Sequence, residues 1–229
     1  MRTIDNGVIV QFILFMIALV FSLSVHESAH AWMSNQFGDD LARLQGRISL
    51  NPAVHVDPIG TLLFPAIAFF TGMPLIGWAK PTPVNPLRWR DKRVANFWVS
   101  AAGAISNFII AFIAGLGIRL LYSFGVIDRG LDLLNTNSTI ATGAVELLWV
   151  FFILNVSLGV FNLLPIPPLD GSKVLASILP PSFESGIEAL ERFGFLLLFI
   201  AVFTGVLGVI FRFIMPIAWA LVFIGSSPY

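Results

Sequence analysis

Residues 26–30 read His26-Glu27-Ser28-Ala29-His30, an H-E-x-x-H pattern. On a helix, residues four apart share a face, so both imidazoles can reach one ion while the intervening carboxylate lies beside them. Histidine suits zinc. With two such ligands and a third from elsewhere, a fourth position stays open for water, whose pKa zinc lowers to about 7. Glu27 sits where it can take a proton from that water. The chemistry implied is metal-assisted hydrolysis. A structural role for the two histidines competes with it, but the surroundings favour function. The five residues carry three ionisable side chains inside an otherwise apolar segment, and each charge held within a bilayer costs roughly 2.5–3.5 kcal/mol on insertion scales.

The elements that must position these groups are membrane elements. The chain of 229 residues is 57% hydrophobic and 11% charged, with mean hydropathy +0.88. A water-soluble core cannot absorb that much apolar surface, given that soluble domains hold about 25% charged residues. Thirteen basic and thirteen acidic residues cancel, which excludes a basic surface for nucleic acid. Cysteine is absent, so any metal is held by His, Asp or Glu.

Five apolar stretches follow one another: 8–25 continuing to about 37, then 59–76, 94–126, 143–164 and 193–224. The first, third and fourth exceed the roughly 20 residues a helix needs to cross the hydrocarbon core. The first lacks a basic leader and an A-x-A-like cleavage site, so it reads as retained and not as a signal peptide. The second stretch is interrupted by Pro58, Gly60, Pro65, Gly72 and Pro74, which suits a re-entrant segment or β-hairpin around 57–77. The basic residues Lys80, Arg88, Arg90, Lys92 and Arg93 come next and favour the cytoplasmic side. The last stretch is too long for one straight span and short for two, and Gly205 and Gly208 offer a break. The fold class expected is an all-α polytopic membrane protein of about four to six transmembrane segments. Residues 1–229 read as a single membrane-embedded domain without an internal repeat.

A third ligand is sought outside the motif. The stretch from Asn162 through Pro165, Pro167 and Pro168 breaks the fourth apolar segment and delivers Asp170 just before Gly171. Asp170 reads either as a ligand on broken membrane backbone or as the N-cap of a short helix. For Asp170 to meet His26 and His30, both segment ends must face one side, so the chain between them crosses an even number of times. The third and fourth stretches supply two crossings, and the second must then return to its own side. That places the site near the cytoplasmic face with the N-terminus outside.

These motifs resemble the site-2 protease family of intramembrane zinc metalloproteases in its compact prokaryotic form. The resemblance is carried by His26–His30, by Gly46-Arg47-Ile48-Ser49-Leu50-Asn51-Pro52 running to His55, Asp57, Pro58 and Gly60, and by Gly77-Trp78-Ala79-Lys80-Pro81. Ser100-Ala101-Ala102-Gly103 with Asn107, and Phe161-Asn162-Leu163-Leu164-Pro165 through Leu169-Asp170-Gly171, complete it. It implies His26, His30 and Asp170 as ligands to one zinc ion per chain and Glu27 as general base. Asn162 would bind substrate or the developing oxyanion. The substrate implied is a transmembrane segment of another protein, and the location a prokaryotic plasma membrane with the lipid bilayer as solvent. The family's usual proline before the Asn of the third stretch is missing here, where Gly103-Ala104 stands. No PDZ-like or CBS-like module is expected within this chain.

His55 and Asp57 are candidates for orienting ligands or substrate, or for fixing the loop. The segment 58–74 is expected to offer an edge strand to an unwound substrate. Two rival functions use the same residues: a membrane metal-ion transporter and a non-catalytic relative. Neither explains a carboxylate placed directly after the first histidine.

Overall fold

The computed structural model describes residues 5–75, 77–128, 130–133 and 139–224. Its regular elements are helices, and the described residues form no strand beyond an isolated bridge between Ile127 and Leu133. Three helices are long and apolar enough to cross a membrane: α1 (Asn6–Gln36), α4 (Lys92–Ser123) and α5 (Thr139–Asn162). The short α2 (Leu41–Leu44) follows α1. Acidic caps start two of the long helices. Asp5 accepts from Val8 N at 2.8 Å, and Asp91 accepts from Arg93 N and Val94 N at 3.0 and 3.1 Å, each engaging first-turn donors that no helical carbonyl can reach.

α4 lies at the centre, packed on α1, α5 and the short helix that begins at Asp170. Its buried run Ser100, Ala101, Ala102, Gly103 and Ala104 allows the close backbone approach that drives helix association where lipid removes the hydrophobic incentive.

The proline-interrupted stretch forms no β-hairpin and no edge strand over 58–74. It is a π-helical turn, Pro58–Leu63, running into α3 (Phe64–Thr71). Local chemistry explains the difference. Asp57 caps the turn, accepting from Ile59 N at 3.0 Å and Gly60 N at 2.7 Å. Pro58 and Pro65 both fall in first turns, where a missing N–H leaves no bond unmade. Phe64 N–H reaches back five residues to Ile59 O, and Gly72 ends α3 in the left-handed conformation at φ 72°.

The segment is re-entrant in geometry. Phe69 and Phe70 of α3 pack against Phe12 of α1 at centroid distances of 5.4 and 4.9 Å, a level about 21 Å along the helix from His26. The chain then returns in extended form to Thr82, which bonds Glu27. Both ends therefore lie at the same end of α1.

After α5, turns through the prolines lead to α6 (Asp170–Ile178), α7 (Glu184–Arg192), α8 (Gly194–Phe203) and α9 (Val206–Val222). The long last stretch is a broken pair: α8 and α9 meet at 67° around Gly205, whose φ of 78° is readily adopted only by glycine. α9 ends against the far end of α4, where Arg119 donates to Val222 O at 2.9 Å and Ile224 O at 2.6 Å.

Candidate metal centre

His26 and His30 project from the C-terminal third of α1 and are buried. Asp170 opens α6 as its first residue and Leu169 holds the cap position without a side-chain cap bond, so Asp170 is not the N-cap that the sequence also allowed. The carboxylate starts a helix and also faces the imidazoles. Asp170 Oδ2 lies 3.3 Å from His26 Nε2 and 3.2 Å from His30 Nε2, and the two Nε2 atoms are 3.0 Å apart.

The hydrogen-bond pattern behind the rings sets what these atoms can do. Asn155 Nδ2 donates to Phe151 O at 2.9 Å and to Ser22 Oγ at 2.8 Å. Because a backbone carbonyl only accepts, this orients the Asn155 amide and leaves its Oδ1 to accept from Asn107 Nδ2 at 2.8 Å. Asn107 Oδ1 must then accept from His26 Nδ1 at 2.7 Å. His30 Nδ1 donates directly to Val99 O at 2.6 Å. Both imidazoles are thereby fixed with Nδ1 as donor, so in the neutral ring Nε2 carries a lone pair.

Two lone pairs and a carboxylate oxygen thus converge within 3.0–3.3 Å. Three acceptors so close repel one another unless a cation stands among them. A tetrahedral zinc with N and O ligands at its usual bond lengths separates them by about 3.3 Å, so the donor set fits that ion. The acceptors behind each Nδ1 are the outer partners that metal-binding histidines require.

Gly103 of α4 completes the cradle. A Cβ there would overlap His26 and His30 ring atoms, so no side chain fits between α4 and the pair. Gly171 plays the equivalent part beside Asp170, since a Cβ would overlap the Leu163 and Leu164 carbonyls at the end of α5.

Glu27 is half-buried on the same turn. Its Oε2 accepts from Thr82 N at 2.8 Å, and Thr82 Oγ1 donates to Glu27 O at 2.9 Å. Thr82 belongs to the extended return, which the protein anchors at alternate residues. Trp78 N donates to Gly60 O at 3.2 Å, Thr61 Oγ1 to Trp78 O at 2.8 Å, and Lys80 N to His55 O at 2.8 Å. Arg47 adds a short bond to Lys80 O.

His55 is therefore a loop residue and lies outside the group that could hold the ion. Its Nε2 meets Ser49 O at 2.8 Å. Burial holds the imidazole below its ordinary value, with the Ser49 bond opposing and the Arg47 charge adding to the shift. Asp57 is a helix cap. Asn162 ends α5 half-buried, one amide hydrogen engaged by Leu158 O at 3.0 Å and the other left to bond elsewhere. Sequence reading missed Thr82, Val99, Asn155 and Ser22. Only Asn107 stood out beforehand, and without a role.

Comparison with known proteins identifies a family. A family model described as Peptidase family M50 matches residues 14–201. The chain is 38% identical over 192 residues, 84% of this chain and 80% of the relative, to the Bacillus subtilis (strain 168) protein named "Putative zinc metalloprotease YwhC". It is 28% identical over 221 residues, 95% of this chain and 76% of the relative, to "Putative zinc metalloprotease Rip2" of Mycolicibacterium smegmatis. No solved structure matches it. Since the matched span runs from α1 through the Asp170 turn into α8, the chain belongs to peptidase family M50, the site-2 protease family, and is a membrane-embedded zinc metalloprotease.

Proposed function

We propose that the protein hydrolyses peptide bonds within or near transmembrane segments of other membrane proteins, with His26, His30 and Asp170 holding one zinc ion per chain. The observation that carries this reading is the convergence of three acceptor atoms beside Glu27, at the meeting point of helices long enough to span a bilayer. When bound, zinc supplies Lewis acidity to the scissile carbonyl and acidifies water.

The chain's own residues supply the rest. Glu27 has Oε2 held by Thr82 N, which leaves Oε1 to take a proton from the attacking water. As the water oxygen bonds to the carbonyl carbon and the C–N bond breaks, Glu27 returns that proton to the leaving nitrogen. Asn162 offers its remaining amide hydrogen to the substrate carbonyl as charge develops there.

A substrate helix must lose internal hydrogen bonds before its carbonyl is accessible. The helical segment 58–71 has its backbone engaged in its own turns, so the edge open to a substrate is that of the extended return. Trp78, Lys80 and Thr82 bond inward, and in an extended chain the residues between them direct their backbone groups the other way. Ala79 offers both N–H and C=O there, while Pro81 offers only a carbonyl. An unwound substrate can pair along this edge beside Glu27.

The reading also places the site toward the cytoplasmic side of a prokaryotic plasma membrane. The basic stretch supports this, because it is fastened to the site end of α1: Arg90 N donates to Phe37 O at 3.0 Å, and Arg88 pairs with Asp40. The test is incubation of the detergent-purified chain with single-span membrane proteins, with and without a zinc chelator. Cleavage that stops on chelation and returns with zinc is expected. Cleavage indifferent to the chelator overturns the mechanism.

A further inference from the structure

α4 contributes no ligand, yet one face of it touches every ligand's support. Arg93, Asn96, Val99, Gly103 and Asn107 follow one another at spacings of three and four residues, the spacing of a single helix face. Asn107 fixes His26, Val99 O fixes His30, and Gly103 makes room for both rings. The remaining two reach the helix that carries Asp170.

Arg93 grips the C-terminal end of α6. Its Nε donates to Ser177 O at 2.7 Å, and its Nη2 to Ile178 O at 2.9 Å and Leu179 O at 3.0 Å. These are last-turn carbonyls without helical partners, and a guanidinium there also complements the helix dipole. Asn96 Nδ2 donates to Ser177 Oγ at 2.8 Å and Lys173 O at 3.2 Å.

At its other end α6 is pinned where Gly171 abuts the carbonyls of Leu163 and Leu164. Two fixed points set the axis of a helix about 13 Å long. Releasing the far one lets α6 pivot about Gly171 and turns the carboxylate of Asp170 away from the imidazoles.

We propose that Arg93 and Asn96 are positioning residues for the third metal ligand, acting through α6 to aim Asp170. This rests on the reading of His26, His30 and Asp170 as the metal site, and it gives Arg93 a task beyond its contribution to the basic stretch.

The test uses the full chain in detergent, loaded with zinc or with cobalt as a visible probe. Arg93→Ala and Asn96→Ala are expected to release zinc to a chelator about 10- to 100-fold faster, the usual effect of removing outer-shell support. They should also weaken and shift the cobalt d–d bands. Arg93→Lys keeps the charge but lacks the planar fork, so it should fall between. Lys92→Ala removes a neighbouring charge and should match the wild type. In an Asp170→Asn background, Arg93→Ala should add nothing to the release rate, an outcome that general destabilisation of the protein would not give.

Wild-type release rates and spectra in folded Arg93→Ala and Asn96→Ala proteins overturn the proposal, as does full additivity with Asp170→Asn. Should Arg93→Ala fail to fold, Asn96→Ala decides alone. A wild-type chain that retains no zinc is a separate result, visible before any variant is made, and it overturns the metal reading and this inference together.

Discussion

The ligand-bearing unit and the C-terminal pair are both built from apolar helices, but they are held by different forces. Around the metal centre, α1, α4 and α5 meet through small residues and a buried polar chain from Ser22 through Asn155 and Asn107 to His26. Every member of that chain is fully or almost fully buried, and every amide is oriented. Among the described residues, α8 and α9 carry no such network. Phe195, Phe199 and Phe203 of α8 are 78%, 56% and 51% exposed, surface that lipid would cover. α9 meets α4 and α5 mainly at the end away from the site, through Trp219, Phe223 and the Arg119 bonds. A cavity of about 580 Å³ lies between α9 and α4/α5. Directional bonds in a low-dielectric interior specify one arrangement, whereas apolar contact in lipid is easily exchanged for lipid contact. The atoms of the candidate site thus sit in a unit fixed by directional bonds, whereas the C-terminal pair rests mainly on apolar contact.

Several substitutions can break or sharpen that contrast. The largest effect is expected from Glu27→Gln, which should lower cleavage about 10²- to 10⁴-fold by removing the proton acceptor. Bound zinc, read by metal analysis of the purified protein, should stay at wild-type level. Full proteolysis by this variant would exclude Glu27 as the base and leave a metal carrier as the better description.

Gly103→Ala should follow. The added Cβ overlaps both ligand rings, so zinc affinity measured by competition should fall by about 100-fold or more, the upper end for support of metal ligands. Retained zinc in a folded Gly103→Ala protein would contradict the packing of α4 on the histidines.

Asn155→Ala acts one residue further out, touching Asn107 and not His26. Zinc should bind about tenfold more weakly, with His26 freed to change orientation. The imidazole signals in an NMR spectrum of the zinc-loaded protein would report that change.

In the C-terminal pair, Gly205→Ala meets no atom within 4 Å, and its cost comes from the left-handed backbone, about 1–2 kcal/mol. Thermal unfolding should shift down accordingly while zinc release stays unchanged. A change in zinc release would show that the two regions are coupled after all.

The smallest effect concerns His55. Its folded-state pKa lies below 6.5, so below that pH the unfolded chain binds the proton more readily than the folded one. The stability His55 contributes is therefore present above about pH 6.5 and lost as pH falls through its folded value. His55→Gln should flatten this part of a stability-versus-pH curve relative to wild type. An unchanged slope would remove the buried loop histidine from the acid response.

Much of the arrangement was legible along the chain, because it depends on neighbours in sequence. The His26–His30 spacing, the lengths of the long spans, the proline break before Asp170 and the glycine break at Gly205 all follow from helix geometry and backbone sterics within a few residues. The stretch 58–71 was less legible. Its prolines read as interruptions, yet both fall in first turns where their missing N–H leaves no bond unmade, and a cap at Asp57 with a π turn then favours helix over strand.

What the sequence by itself determined is the chemistry on offer: two imidazoles on one helix face with a carboxylate beside them, apolar spans around them, and an aspartate on broken backbone. What only the tertiary structure decided is how those groups are aimed. His26 is fixed by Asn107 81 residues away, His30 by Val99 69 away, Glu27 by Thr82 55 away, and Asn155 by Ser22 133 away. Spacing along a chain constrains the faces of its own helix and nothing beyond it. The tautomers, the cradle at Gly103 and the axis of α6 come into being only when separate helices pack, because each needs a donor, an acceptor or an empty space supplied by another part of the fold.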